Sequence, residues 1–141
     1  MRNLVFNDIN THKCDPRMPY RVASKAACSD HWFGGSDAQT VTEANALLHP
    51  KHVDRLEREG GVCVAYTHFA SGFVDAQGEV DPTFAARRRY LAAKRGWFVP
   101  ASTLLDYLRD RHKESASLTY RMRLDARWLA HRLVKRARFG R

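Results

Sequence analysis

His68 is the residue of this chain best placed to do chemistry. It follows the run Val62-Cys-Val-Ala-Tyr-Thr67, which Gly60 and Gly61 precede. A continuous apolar run of this length, bounded by turn residues, reads as a strand buried on both faces. Ligands of parallel α/β sheets gather at the carboxyl ends of the strands, where His68 stands. A neutral imidazole there can give or take a proton or ligate a metal. It can equally be a strand-end histidine bonded to a neighbouring carbonyl.

Four further residues could line a cleft. In Arg17-Met-Pro-Tyr20 the guanidinium offers a planar donor fork suited to a carboxylate, and Pro19 fixes the backbone beside it, although an ordinary surface turn has the same composition. Ser29-Asp-His-Trp-Phe-Gly-Gly35 brings Asp30 and Trp32 ahead of a flexible glycine pair. Trp32 is either a stacking platform for a sugar ring or a cap on the core.

Metal-ligating types occur twice without a convincing pattern. His12, Cys14 and Asp15 are near neighbours that converge only in a tight turn, and Lys13 repels a cation. His49 and His52 are three apart, but Pro50 biases His49 away from helical geometry, so both read as exposed histidines. No metal ligand is assigned. The three cysteines, Cys14, Cys28 and Cys63, make neither a disulfide framework nor a CxxC site, which fits a reducing compartment.

Thr40 to Glu59 is helical in character, with caps at Thr40 or Thr42, a break at Pro50 and a stop at Gly60. Asp81 caps a helix that opens at Pro82 and runs to Gly96, after a long glycine-bearing loop from Phe69 to Val80. Trp97-Phe-Val99 reads as a short peripheral strand. Thr103 with Asp106 gives a capping pattern for the next helix. Leu4-Val-Phe6 and Tyr20-Arg-Val-Ala23 are further strand candidates. The order strand, helix, strand, helix favours a parallel α/β sheet. At 141 residues the chain is too short for a complete eight-unit barrel of about 250 residues.

The net charge of +9 is concentrated at one end: residues 1–117 hold 16 Lys/Arg against 14 Asp/Glu, and residues 118–141 hold 8 against 1. Residues 113–117 read as a linker, and 118–139 as a basic amphipathic helix with Leu118, Met122, Ala126, Leu129 and Leu133 on its apolar stripe. Such a helix docks on its own domain, an anionic membrane surface or an acidic partner. With no recognisable nucleic-acid-binding fold, RNA is the least favoured partner. The sequence has no signal peptide and no membrane-spanning run, which reads as cytoplasmic.

The run Gly60-Gly-Val-Cys-Val-Ala-Tyr-Thr-His68, the later Ala93-Lys-Arg-Gly-Trp-Phe-Val99, and Pro-Ala-Ser-Thr-Leu-Leu-Asp-Tyr-Leu108 together resemble the carboxy-terminal units of the polysaccharide deacetylase superfamily. The resemblance implies a partial (β/α) barrel over residues 1–112, of few, mostly parallel strands with flanking helices. His68 would be the general acid, and Arg17, Tyr20, Asp30 and Trp32 would line the substrate cleft. It further implies removal of acetyl groups from a cell-envelope carbohydrate, with a zinc-like ion bound by Asp, His and His. The early Asp-Asp pair and the paired-histidine motif have no counterpart here. The expectation is therefore a deacetylase-like carboxy-terminal segment, inactive alone, whose uncovered sheet edge calls for a missing amino-terminal half or self-association. The alternative is a non-enzymatic module that binds a membrane or an acidic partner through helix 118–139.

Overall fold

The computed structural model describes residues 2–3, 8–111 and 116–139. It is a mixed α/β structure on a small parallel sheet of order β1 (Arg2–Asn3), β2 (Gly34–Asp37), β3 (Ala65–Tyr66). The helices are α1 (Thr11–Cys14), α2 (Val41–Leu47), α3 (Pro50–Glu59), α4 (Pro82–Ala92), α5 (Ala101–Arg111) and α6 (Leu118–Phe139). The mixed α/β class and the parallel pairing agree with the sequence reading. The Leu4-Val-Phe6 candidate and most of the 113–117 linker fall outside the described residues.

Helix boundaries follow local chemistry. Thr40 caps α2 by accepting the Glu43 N–H, and Asp81 caps α4 by accepting that of Phe84. Pro50 opens α3, and Gly60, at φ 58°, closes it in the left-handed region that glycine adopts without strain. At Gly61 a Cβ would lie 2.4 Å from Asn10 Nδ2, so only glycine lets the chain pass beneath the Asn10 cap of α1.

β2 is a strand the sequence reading missed, because Gly-Gly-Ser-Asp carries no apolar pattern; all four residues are buried. A polar relay fixes it. The Val64 N–H donates to Thr11 Oγ1 at 3.0 Å, Thr11 and Ser36 hydroxyls meet at 2.7 Å, and Ser36 Oγ donates to the Asp8 carbonyl at 2.6 Å. Each of these buried polar groups thereby finds a partner.

Three expected elements differ. Trp97-Phe-Val99 is not a strand but an exposed connection, with Trp97 packed on Tyr107 at 5.1 Å between ring centres. Tyr20–Ala23 makes one antiparallel bridge, Tyr20 to Trp32, before a short 3-10 turn at Ala23–Lys25. The predicted strand 62–67 pairs over Ala65–Tyr66, with Ser36 N–H reaching the Val64 carbonyl ahead of it.

Two apolar clusters hold the fold. One joins Cys14, Met18, Tyr20, Val22 and Val64 to Leu108 of α5 and Leu124 of α6. The other gathers Ile9 and Ala38 with Ala44, Leu47, Val53, Phe73 and Phe84. The long loop after β3 belongs to this second core: Phe73 is 2% exposed and meets Phe84 edge-on at 4.7 Å. Among the described residues no helix is long and apolar enough to cross a membrane.

Candidate functional site at the carboxyl ends of the strands

α6 decides which polar groups of the core are accessible, and it docks by a different face from the one expected. Leu118, Met122, Leu129 and Leu133 are exposed by 54–64%. Tyr120, Leu124, Arg127, Trp128, His131 and Lys135 face the domain instead, a set that recurs every three or four residues and so shares one side of the cylinder. The reason is chemical. The core presents carboxylates and carbonyls, which hydroxyl, guanidinium and ammonium groups satisfy and leucines do not.

At the carboxyl end of β2, Asp37 is buried beside Glu43 of α2. Lys135 Nζ donates to Asp37 Oδ2 at 2.7 Å and to the two Glu43 oxygens at 3.1 and 3.2 Å. Burial alone would lower the Lys135 pKa, but its bonds to Asp37 and Glu43 outweigh that, and the net shift is upward. Lys135 is therefore a fixed cation rather than a nucleophile. His131 Nε2 lies 3.8 Å from Asp37 Oδ2. Two carboxylates thus face the Lys135 cation, with the His131 ring beside them.

β3 completes this end of the sheet. The His68 N–H donates to the Gln39 carbonyl at 3.3 Å, and the Gln39 N–H donates to Glu43 Oε2 at 2.9 Å, so the segments after β2 and β3 are tied together. The His68 ring is exposed, with Nε2 at 3.1 Å from Tyr66 Oη and the two rings edge-on at 4.9 Å. Asp37 Oδ1 and Thr67 Oγ1 are buried without a hydrogen-bond partner. An unpaired buried oxygen is one that a donor from outside the chain can satisfy.

The anticipated cleft residues assemble elsewhere. The Arg17 guanidinium sits 5.0 Å over the Tyr120 ring, and Tyr20, buried, meets Tyr120 edge-on at 5.8 Å. Trp32 exchanges both backbone bonds with Tyr20 and carries Lys25 5.1 Å over its ring. Asp30 is exposed, 3.9 Å from Arg21. At their centre Asp15 is fully buried and accepts from Tyr120 Oη at 2.5 Å. Burial pushes the Asp15 carboxyl up to about 6 against the opposing pull of Tyr120, Arg127 and the Gly34 backbone, and burial likewise raises Tyr120. From Tyr120 to Lys135, α6 rises about 22 Å. Arg17, Tyr20 and Trp32 thus group near the first turns of α6, and His68 lies near its later turns with Asp37.

The sequence reading missed Asp37, Glu43, His131 and Lys135. Asp37 closes a strand without an apolar signature. His131 and Lys135 look like the solvated side of a basic helix.

Comparison with family models, with curated proteins and with solved structures finds no match. The zinc-like ion that the resemblance implies needs three ligands, and among the described residues no three His, Cys, Asp or Glu side chains are grouped to hold one. His49 caps α3 by accepting the Lys51 N–H, and His52 Nδ1 lies 3.0 Å from the Ala46 carbonyl. Cys14 is buried and Cys63 is pushed up to about 12, first by burial, so neither is a ready thiolate ligand. The described residues do not fit the ion.

Proposed function

We propose that the chain is a polysaccharide-deacetylase-like, carbohydrate-binding α/β module of partial-barrel type, whose ligand edge is formed by the carboxyl ends of β2 and β3. The observation that carries this reading is the buried, unpartnered Asp37 Oδ1 at the carboxyl end of β2, with the exposed His68 following β3 on the neighbouring parallel strand. Sugar hydroxyls donate as well as accept, so an acetylated sugar can supply a donor to Asp37 Oδ1.

His68, exposed and braced by Tyr66, is the proton-transfer group. Where another chain supplied the electrophile and the attacking water, it would hand a proton to the leaving amine or alcohol, a contribution of about two to four powers of ten in rate. The electrophilic part of that hydrolysis is assigned to no residue of this chain. The chain alone is expected to bind an acetylated oligosaccharide without releasing acetate above background. Arg17, Tyr20 and Trp32 are assigned to packing around Asp15 and Tyr120 rather than to this edge.

Calorimetric titration with an N-acetylated chito-oligosaccharide tests the reading. His68→Ala and Asp37→Asn should each weaken binding about tenfold, the scale of one lost hydrogen bond to a charged or buried group. Equal affinity in both variants and the unaltered chain would discard it.

A further inference from the structure

We propose that the outward face of α6 is a docking surface for an anionic lipid bilayer, on which the helix lies parallel to the membrane plane. This surface is independent of the carbohydrate edge. Leu118, Met122, Leu129 and Leu133, exposed by 64%, 63%, 54% and 61%, follow one another at spacings of four and seven residues and form a single stripe. The domain does not cover them, because the opposite side of the helix is held down by Tyr120 on Asp15, Arg127 on the Cys14 carbonyl and Lys135 on Asp37 and Glu43. The helix cannot roll to bury the stripe without breaking those contacts.

Charge selects the occupant. The exposed Arg132 and Arg136 lie three residues beyond Leu129 and Leu133 on this side of the helix, and Asp125, between Met122 and Leu129, is the single acidic residue of the helix. Leucines flanked by arginines match a lipid surface whose headgroups are anionic, with the arginine stems lying along the apolar layer and the guanidinium groups reaching phosphate. A second copy of the helix fits less well. The seam of a coiled coil along this face would take Asp125, Arg132 and Arg136 together with Leu118, Met122 and Leu129, burying charge at half of its positions. Nucleic acid would use the arginines and leave the stripe in water.

Co-sedimentation of the full chain with vesicles of phosphatidylglycerol and phosphatidylcholine, and with vesicles of phosphatidylcholine alone, tests the proposal. Binding should require phosphatidylglycerol and weaken as salt rises. Leu129→Ser with Leu133→Ser, both at exposed positions, should cut binding at least about tenfold while the urea midpoint stays in place. Arg132→Gln with Arg136→Gln should reduce it by a similar factor. The proposal fails if the chain does not sediment with phosphatidylglycerol vesicles at low salt, or if the serine pair binds as well as the unaltered chain. It fails equally if sedimentation velocity shows a dimer that depends on the stripe and excludes vesicles.

Discussion

Asp15 shows how one buried group sets a measurable property. Its carboxyl rises from 3.8 to about 6 in the fold because burial disfavours the charge by more than Tyr120, Arg127 and the Gly34 backbone favour it. The folded chain therefore holds this proton more tightly than the unfolded chain does. Its stabilising effect is fully present below about pH 4 and is lost as pH rises through about 6, a change of about 3 kcal/mol. Asp15→Asn keeps an acceptor for Tyr120 and cannot titrate, so its stability, read from urea unfolding at pH 4 and pH 7, should differ from that of the unaltered chain by a gap that grows with pH. A constant gap would refute the assignment. Thr11 offers a second test at this scale. Thr11→Val leaves the Val64 N–H buried without an acceptor and breaks the relay through Ser36, and should lower stability by about 2 kcal/mol in the same assay.

Among the elements, α6 separates what periodicity reveals from what it hides. Its limits, Leu118–Phe139, were legible, as were the proline start of α3 and the Asp81 cap of α4, while the α2 cap was legible only as Thr40 or Thr42. These signals are local: a hydroxyl or carboxylate three residues before an orphan N–H acts whatever the rest of the chain does. The docking face was not legible. Leu118, Met122, Leu129 and Leu133 make the more apolar stripe, yet the domain takes the face with Tyr120, His131 and Lys135, because the buried partners are Asp15, Asp37 and Glu43. That preference depends on carboxylates distant in sequence, one of them at the end of a strand with no apolar pattern. The same distance hid half of the candidate site: His68 was found from its place after an apolar run, and Asp37 was not. Lys135→Met should expose the consequence by leaving Asp37 and Glu43 buried without their cation. The expected loss is about 3 kcal/mol, with faster amide exchange along α6 than elsewhere; uniform protection would argue that the contact is dispensable.

For the whole molecule, α6 is part of the core rather than an appended tail. Leu124 shares a cluster with Cys14, Met18, Tyr20, Val64 and Leu108, and Tyr120 and Trp128 pack against it. Deleting residues 118–141 should therefore abolish a cooperative urea transition, whereas a retained transition at the same midpoint would return the helix to the status of a separate segment. The same helix gives the molecule two working sides: one closes over Asp37 at the end of the parallel strands, and the other carries the leucine stripe outward. The most direct test of the ligand edge is a ring-nitrogen NMR titration of the seven histidines with an N-acetylated chito-oligosaccharide. The account predicts that the His68 and His131 resonances move together and saturate together while those of His31, His49 and His52 stay still. Saturable shifts confined to His31, next to Trp32, would place the sugar at the other end of α6 and contradict it.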